Sequence, residues 1–390
     1  MSPDRPVPAR DRVEGAATDA GLCFAPGRVN LIGDHIDYLG GTVLPMSLDR
    51  GTWFAFEAAD APGIEIHALD RGESLRIDPG ASSDAVPPGA APDWSPFVRG
   101  LLTLGRRGFA GRGGRIHVAG DLAGGGLSSS ASFCVGLARV FMELGVLQRV
   151  QGEALARLAQ RVEHEFVGVQ CGLMDQLAVV FGRSAGAVAI DCRSAAVQPV
   201  PLAWGDRRLL AMRSRTPRRL AGGGYNTRRR ELAEGLARLG LPDDRIPPPD
   251  ALRGTSIGTA AEDLPLRRVR HVISEQARVL DALEAAEVRD WARFGGAMSA
   301  SHASLRDDFD VSTAELDTMV AAASTADGCE GARLTGAGFG GWAIALVRDA
   351  DAAATVLEAV GESLGSPLGI QDWFLAQPGG PVRVLAPADG

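Results

Sequence analysis

The segment with the strongest chemical signal runs over residues 120–132 and reads Gly-Asp-Leu-Ala-Gly-Gly-Gly-Leu-Ser-Ser-Ser-Ala-Ser. Glycines let a backbone approach a ligand closely, and the first N–H groups of the helix predicted to follow attract anions. The serine hydroxyls could donate to phosphate oxygens or offer an oxygen ligand to Mg²⁺. A Ser-capped helix after a flexible loop explains the same residues without any ligand. At this point a phosphate site and a simple helix cap are equally open.

A second polar cluster lies between two strand-like segments near the start of the chain. Six positions after Arg28 begins a polar run that contains Asp34, His35, Asp37 and Tyr38. Carboxylates and imidazole offer acceptors and donors to a polyhydroxylated ligand. An arginine that cannot lose its proton is suited to holding phosphate or to pairing with a carboxylate. Taken by itself, the cluster is explained more simply as an Asx-rich turn that faces water.

Two further segments contain residue types that serve phosphoryl transfer. Asp175 is a lone carboxylate in the apolar run Cys-Gly-Leu-Met-Asp-Gln, close to a predicted helix start. It could accept a proton from an attacking hydroxyl, although an Asp in a first helical turn also interacts favourably with the helix dipole. The Gly-rich run from Gly331 to Gly341 could face phosphates or form a tight hairpin. Both alternatives stay open for each segment alone.

Mixed helices and strands position these residues. Short apolar runs bounded by Gly and Pro predict strands, and apolar spacing of three to four residues predicts helices. The predicted helices cover residues 153–167, 174–181, 226–239, 267–285, 287–302 and 351–363, and predicted strands include 113–122, 186–191, 208–213 and a pair within 331–347. The absence of strict βαβ alternation favours an α+β protein with two lobes. We predict a flexible leader over residues 1–20, an N-terminal lobe over 21–204 and a C-terminal lobe over 205–390.

Composition excludes several classes of function. The chain has 390 residues, a length typical of two or three domains, and 45% of them are hydrophobic, which suffices to bury a sizeable core. All 40 basic residues are Arg, so a Walker-A site and a Schiff-base lysine are excluded. Five Cys without a CxxC pair argue against a disulfide framework or structural zinc and favour the cytoplasm. A net charge of −8 argues against nucleic acid, and no apolar run is long enough to span a membrane.

Together these segments resemble the GHMP kinase superfamily and, within it, the galactokinase family. PGRVNLIGDHIDYLGGTVLP is similar to the galactokinase signature, GGGLSSSAS to the superfamily's phosphate loop, and EHEFVGVQCGLMDQ to the segment with the catalytic Asp. Five more segments resemble galactokinase segments in the same order, namely IDCRS, YNTRRRE, RVRHVISE, SHASLRDDFDVSTAELD and LTGAGFGGWAIALV. The resemblance extends over residues 22–347, which is far more specific than one Gly-rich loop.

The resemblance implies a two-lobed GHMP kinase fold and an activity. The N-terminal lobe would have a ribosomal-S5-like topology, the C-terminal lobe would be ferredoxin-like, and the active site would lie between them. The implied reaction uses ATP and Mg²⁺ to phosphorylate the anomeric hydroxyl of galactose, which gives galactose 1-phosphate and ADP. The expected partners are the sugar and ATP, with no nucleic acid and no membrane, and we expect a monomer.

The family's functional residues carry over to specific positions. Asp175 would be the general base, and Arg28 would stabilise the transition state and keep Asp175 ionised. The implied sugar pocket consists of Asp34, His35, Ile36, Asp37 and Tyr225. The residues implied to wrap the ATP phosphates are Gly124, Gly125, Gly126, Leu127, Ser128, Ser129 and Ser130. The implied Mg²⁺ ligands are Ser130 and Glu163. The turn at 336–341 would close the cleft.

Three positions depart from the family pattern, and they affect the choice of sugar. Asp34 stands where Glu is usual and is one C–C bond shorter, Ile36 replaces Thr, and Leu39 replaces Asn. Galactose is the first expectation, and N-acetylgalactosamine or a related sugar is the alternative. A non-catalytic galactose sensor is a second alternative, although sensors lose the Ser-Ala pair that is present here at 130–131. The DHID and MDQ segments argue against a kinase for mevalonate or homoserine.

Overall fold

The computed structural model describes residues 7–17, 20–59, 63–78, 92–105, 113–122, 125–216, 224–258 and 263–385. The strands within these residues are, in chain order, β1 (Gly21–Asn30), β2 (Thr42–Val43), β3 (Pro45–Ala59), β4 (Ile64–Ala68), β5 (Glu73–Ile77), β6 (Gly113–Gly120), β7 (Ala187–Asp191), β8 (Ala196–Val200), β9 (Arg208–Arg213), β10 (Cys329–Thr335), β11 (Trp342–Val347), β12 (Trp373–Ala376) and β13 (Arg383–Leu385).

The described strands form three sheets. The first has the spatial order β13-β1-β3-β6-β4-β5, and its neighbours are antiparallel except for the parallel pair β4 and β6. A small sheet joins β2, β7 and β8. The last sheet has the order β10-β11-β9-β12 and is antiparallel throughout. The first and last sheets therefore belong mainly to the two halves of the chain.

Helices cover these sheets. In chain order they are α1 (Ala9–Ala16), α2 (Ser95–Leu104), α3 (Ser129–Glu143), α4 (Glu153–Val162), α5 (Met174–Phe181), α6 (Gly224–Arg238), α7 (Leu264–Val288), α8 (Trp291–Asp307), α9 (Ala314–Thr325) and α10 (Ala350–Ser363). Helix α3 packs on β1 and β3, with α2, α4 and α5 around it, whereas α8 and α9 pack on β10. Among the described residues, no helix has both the length and the apolar character needed to cross a membrane.

A bulge in β1 aims the strand's end toward the Gly-Ser loop. The register between β1 and β3 shifts between Pro26 and Arg28. A Cβ on the intervening Gly27 would lie 2.8 Å from the carbonyl oxygen of Leu127, and the N–H of Arg28 donates to that same oxygen at 3.1 Å. A bulge re-aims the side chain that follows it. Glycine at this position therefore lets the strand touch the loop.

The residues after β1 belong to an apolar core to which both halves of the chain contribute. Leu31, Ile32 and Ile36 are fully buried, and they share one apolar cluster with Val279 of α7 and Ile344 of β11. These side chains enter that core because they directly follow the end of β1. The backbone of the 30–36 segment is therefore held between the two halves.

The α+β class and the predicted helices and strands are confirmed, with element ends shifted by a few residues. The flexible leader predicted over residues 1–20 is wrong for α1, because Ala9 and Val13 are buried against the first sheet beside Phe24 and Trp53.

The division of the chain at residues 204 and 205 stays a prediction, and it has one exception. Strand β13 lies within the segment assigned to the C-terminal lobe, yet Val384 pairs with Cys23 of β1 in the first sheet. The end of the chain thus returns to the N-terminal half.

Candidate active site

A cavity of about 280 Å³ lies where several loops from both halves converge. Its walls come from the end of β1, the Gly-Ser loop before α3, the segment before α5, the start of α6 and the turn between β10 and β11. The lining residues are Arg28, Asp34, His35, Asp37, Gly125, Gly126, Ser128, Ser129, Ser130, Glu163, Val169, Cys171, Gly172, Met174, Asp175, Tyr225, Asn226, Gly336 and Ala337.

Arg28 and Asp175 meet in this cavity although 147 positions separate them in the chain. The Nε of Arg28 donates to Asp175 Oδ1 at 2.9 Å, and Nη2 lies 2.7 Å from the same oxygen. Nη1 donates to the carbonyl oxygen of Gly126 at 2.7 Å. The Arg28 side chain is 5% exposed, whereas that of Asp175 is 26% exposed. The guanidinium therefore joins an accessible carboxylate to the Gly-Ser loop.

The Gly-Ser loop presents backbone and hydroxyl groups at a helix start. Ser128 has a positive φ of 60° and immediately precedes α3. Gly125, Gly126 and the serines at 128–130 line the cavity. An anion placed there would meet the positive end of the helix dipole and free N–H groups. The arrangement therefore fits a phosphate group.

Another part of the cavity lining consists of Asp34, His35, Asp37 and Tyr225. Asp34 Oδ2 lies 2.5 Å from Nη2 of the fully buried Arg333. The ring of His35 is 5.7 Å from that of Tyr225, centroid to centroid, and its Nε2 lies 3.2 Å from the carbonyl oxygen of Ala337. This part of the lining combines carboxyl groups with ring faces, which suits a ligand that has both hydroxyls and C–H surface.

Gly172 packs directly against the carboxylate of Asp37. A Cβ on Gly172 would lie 1.9 Å from Asp37 Oδ2, so a side chain cannot be added without displacing one of the two groups. The segment before α5 thereby sets the position of the Asp37 carboxyl group, which lies in the segment after β1.

The cavity carries excess negative charge. Burial, followed by the charges of Asp175 and Asp34, raises the pKa of Asp37 to about 7. Burial and Asp175 raise the pKa of Glu163 to about 7, against hydrogen bonds from Gln176 and Ser130. Burial also raises the pKa of Asp34, although the nearby Arg333 opposes it. Burial is the largest cause of all three shifts, and the charges of neighbouring carboxylates add to it for Asp37 and Glu163.

Glu163 and Ser130 fit the role of ligands for a divalent cation. A five-residue π-helix, Glu163–Val167, continues α4 and leaves Glu163 only 4% exposed. Gln176 Nε2 donates to Glu163 Oε1 at 2.9 Å and fixes the carboxylate. Mg²⁺ is usually held by one or two carboxylates together with substrate phosphates. A buried carboxyl group beside a serine hydroxyl, next to a loop that fits a phosphate group, offers that donor set.

The structure gathers most of the predicted site residues but not all of them. Ile36 does not line the cavity, because its side chain is fully buried in the core. Leu127 is likewise 1% exposed, so only its backbone can act at the loop. Gly124 lies outside the described residues. The other predicted residues of the sugar, phosphate and metal sets line the cavity together with Arg28 and Asp175.

Arg333 is a site residue that the sequence reasoning did not identify. It lies in the Gly-rich segment GARLTGAGFGG, where the glycines drew attention and the arginine did not. An arginine between the apolar residues Ala332 and Leu334 was the available signal, because such a group is rarely fully buried unless it is paired.

Three family models match separate parts of the chain. The galactokinase galactose-binding signature matches residues 12–58, the GHMP kinases N terminal domain matches 97–183, and the GHMP kinases C terminal model matches 281–365. The two GHMP models contain the Gly-Ser loop with Asp175 and the β10–β11 turn, respectively.

Curated relatives and solved structures extend over nearly the whole chain. The galactokinase of Chloroflexus aggregans is 40% identical over 331 residues, which cover 84% of this chain and 83% of the relative. The galactokinase of Roseiflexus sp. is 41% identical over 333 residues, which cover 83% and 82%. The crystal structure of Lactococcus lactis galactokinase complexed with galactose superimposes with a TM-score of 0.84 at 30% identity, covering 96% of this chain and 97% of that one.

The fold is also shared more widely. A mevalonate kinase from Methanococcus jannaschii superimposes with a TM-score of 0.62 at 17% identity, covering 93% of this chain and 99% of that one. Fold and site therefore define a GHMP kinase, with the two-lobed architecture that the sequence implies. Within that class, the similarity over more than four fifths of the chain shows that it belongs to the galactokinase family of enzymes.

Proposed function

We propose that this kinase transfers the γ-phosphoryl group of ATP to the anomeric hydroxyl of galactose, which yields galactose 1-phosphate and ADP. The observation that carries the proposal is the contact of Arg28 with both Asp175 and the Gly126 carbonyl oxygen. It joins a proton acceptor, a fixed positive charge and a phosphate-binding loop within one cavity. The galactokinase signature on the sugar side supports galactose as the acceptor.

The proposed mechanism assigns a proton and a charge to these residues. Asp175 takes the proton of the anomeric O–H as that oxygen forms a bond to the γ-phosphorus, and the bond from the γ-phosphorus to the β–γ bridging oxygen breaks. ADP leaves with the electron pair of that bond. Arg28 balances the negative charge that develops on the transferred group. Its contact with the Gly126 carbonyl keeps the guanidinium beside the phosphates.

Charge balance supports a divalent cation as part of the active complex. Among the described residues that line the cavity, the acidic ones are Asp34, Asp37, Glu163 and Asp175, and the arginine is Arg28. A triphosphate would add further negative charge. We propose that Ser130 and Glu163 would hold Mg²⁺, which would offset the negative charge of the phosphates when it is bound.

An ADP-release assay tests the proposed reaction. The purified protein is mixed with ATP, Mg²⁺ and one sugar at a time, namely galactose, N-acetylgalactosamine, galacturonate, arabinose or glucose. The proposal predicts the highest kcat/KM with galactose and transfer to the anomeric oxygen, which ³¹P NMR of the product identifies. Turnover with N-acetylgalactosamine and with none of the other sugars would show that N-acetylgalactosamine, and not galactose, is the substrate. Galactose binding without ADP release would instead support the sensor.

A further inference from the structure

Asp34 is anchored by groups that belong to the other half of the chain. Arg333 of β10 donates to Asp34 Oδ2 through Nη2 and to the carbonyl oxygen of Leu31 through Nη1, at 2.5 and 3.0 Å. The side chains of Arg333 and Asp34 are 0% and 2% exposed. One guanidinium thus fixes both the carboxylate and the backbone three residues before it. A buried, two-point contact of this kind leaves the carboxylate little freedom.

Glu275 of α7 holds the same segment by its backbone. Its Oε1 accepts the N–H of Gly33 at 2.9 Å and the hydroxyl of Ser301 at 2.6 Å. Burial alone would raise the pKa of Glu275, but Arg278 and Arg333 hold it at about 2. The group is therefore a carboxylate and a strong acceptor for the Gly33 amide.

His271, one turn earlier on α7, holds the peptide unit between Asp34 and His35. Its Nε2 lies 3.1 Å from the carbonyl oxygen of Asp34, and its Nδ1 lies 2.9 Å from Ser304 Oγ. Burial lowers the pKa of His271 to about 4, so the ring is neutral near pH 7. Nε2 must then carry the proton and donate to Asp34, while Nδ1 accepts from Ser304.

We propose that Arg333, Glu275 and His271 are positioning residues that fix Asp34 in the sugar pocket. Residues of the second half of the chain would thereby set how tightly and how selectively Asp34, in the first half, binds the sugar. The inference rests on the proposed function, because it assigns Asp34 to the sugar rather than to ATP. None of the three lines the cavity, so they act through Asp34 and the backbone beside it.

The variant Arg333→Gln tests the proposal most directly. The expected result is a rise in the galactose KM of about 10- to 100-fold, the range for losing one hydrogen bond to a charged group. The KM for ATP should change less than about twofold. Discrimination between galactose and glucose should also weaken, because Asp34 is no longer held in one position. An unchanged galactose KM in folded Arg333→Gln would overturn the proposal.

The matched control breaks a different ion pair on the same strand. Arg207 pairs with Glu330 of β10 at 2.7 Å and does not line the cavity. Arg207→Gln should therefore leave both KM values unchanged. Thermal unfolding with and without galactose separates positioning from stability, because a structural role lowers the melting temperature of the free protein but leaves the galactose-induced rise intact. The proposal predicts a smaller galactose-induced rise in Arg333→Gln and an unchanged ADP-induced rise.

A double variant covers the case in which Arg333→Gln does not fold. Asp34→Asn/Arg333→Gln removes both charges of the pair, so no buried charge is left alone. It should still show a galactose KM raised at least about tenfold with a near-normal KM for ATP. Wild-type values for galactose in the double variant would contradict the inference. Failure of the wild-type protein to phosphorylate any sugar would instead contradict the proposed function, and the galactose-induced melting shift would still report on the inference.

Discussion

Asp34 is the residue at which this chain differs most consequentially from its family's pattern. Its side chain is one C–C bond shorter than the Glu expected there, and Arg333 holds its Oδ2. If Asp34 binds the sugar as proposed, the acceptor that it offers is set back from the cavity by the length of that bond. We therefore expect this difference in length to influence which sugar is favoured.

We expect Asp34→Glu to change the ranking of sugars. The longer carboxylate would move toward the ligand or away from Arg333, so the ratio of kcat/KM between galactose and N-acetylgalactosamine should shift by about tenfold, the scale of one altered polar contact. The KM for ATP should stay the same, and steady-state kinetics with both sugars measures this. A large loss of nucleotide affinity would count against a place for Asp34 in the sugar pocket.

Asp37 gives the free protein a characteristic pH dependence. Its pKa is raised from 3.8 to about 7, so the folded state keeps a proton that the unfolded state loses. Stability from this group is complete below pH 4 and is lost as the pH rises through 7. Asn cannot titrate, so Asp37→Asn should be more stable than wild type by about 4 kcal/mol at pH 8 and by about 2 kcal/mol at pH 5. Urea unfolding at both pH values measures the difference, and equal stability at pH 8 would refute the buried-acid account.

At the scale of elements, short segments between regular structure do most of the positioning. The register of β1 shifts at Gly27, α4 widens into a π-helix at Glu163, and the loop before α5 presses Gly172 against Asp37. Apolar spacing predicted a single helix over 153–167. The π-helical turn is accompanied by contacts with residues beyond 153–167, such as that of His164 with the Cys171 carbonyl oxygen at 2.8 Å. No local pattern contains such a contact.

Gly172→Ala should damage sugar binding through Asp37. The added Cβ would overlap the carboxylate, so either Asp37 or the loop must move. We expect the galactose KM to rise about tenfold or more. The kcat should change less, and it should change at all only because the loop leads into α5, which carries Asp175. Gly296→Ala on α8 is the matched control, since its Cβ would meet no atom within 4 Å. Equal galactose KM values for the two variants would show that the close contact has no role.

At the scale of the whole molecule, the ordered motifs predicted the α+β class, the family and most cavity residues. The motifs could not show which of their side chains are buried and which face the cavity. Ile36 and Leu127 lie inside conspicuous motifs, yet their side chains are buried in the core. Arg333 lies in a motif noted for its glycines and contacts Asp34 across 299 positions. Which side of a segment faces a cavity is set by packing between the halves, and a linear pattern does not contain that information.

The central claim is that two distant segments join Arg28 and Asp175 into one proton-accepting, charge-stabilising pair. The most direct measurement is kcat for Asp175→Asn with galactose and ATP, with Asp281→Asn, an exposed ion-pair residue of α7, as the control. Loss of a general base should lower kcat by about 10²–10⁴-fold, while ADP still raises the melting temperature and the control keeps wild-type turnover. Near-wild-type turnover in folded Asp175→Asn would contradict the account.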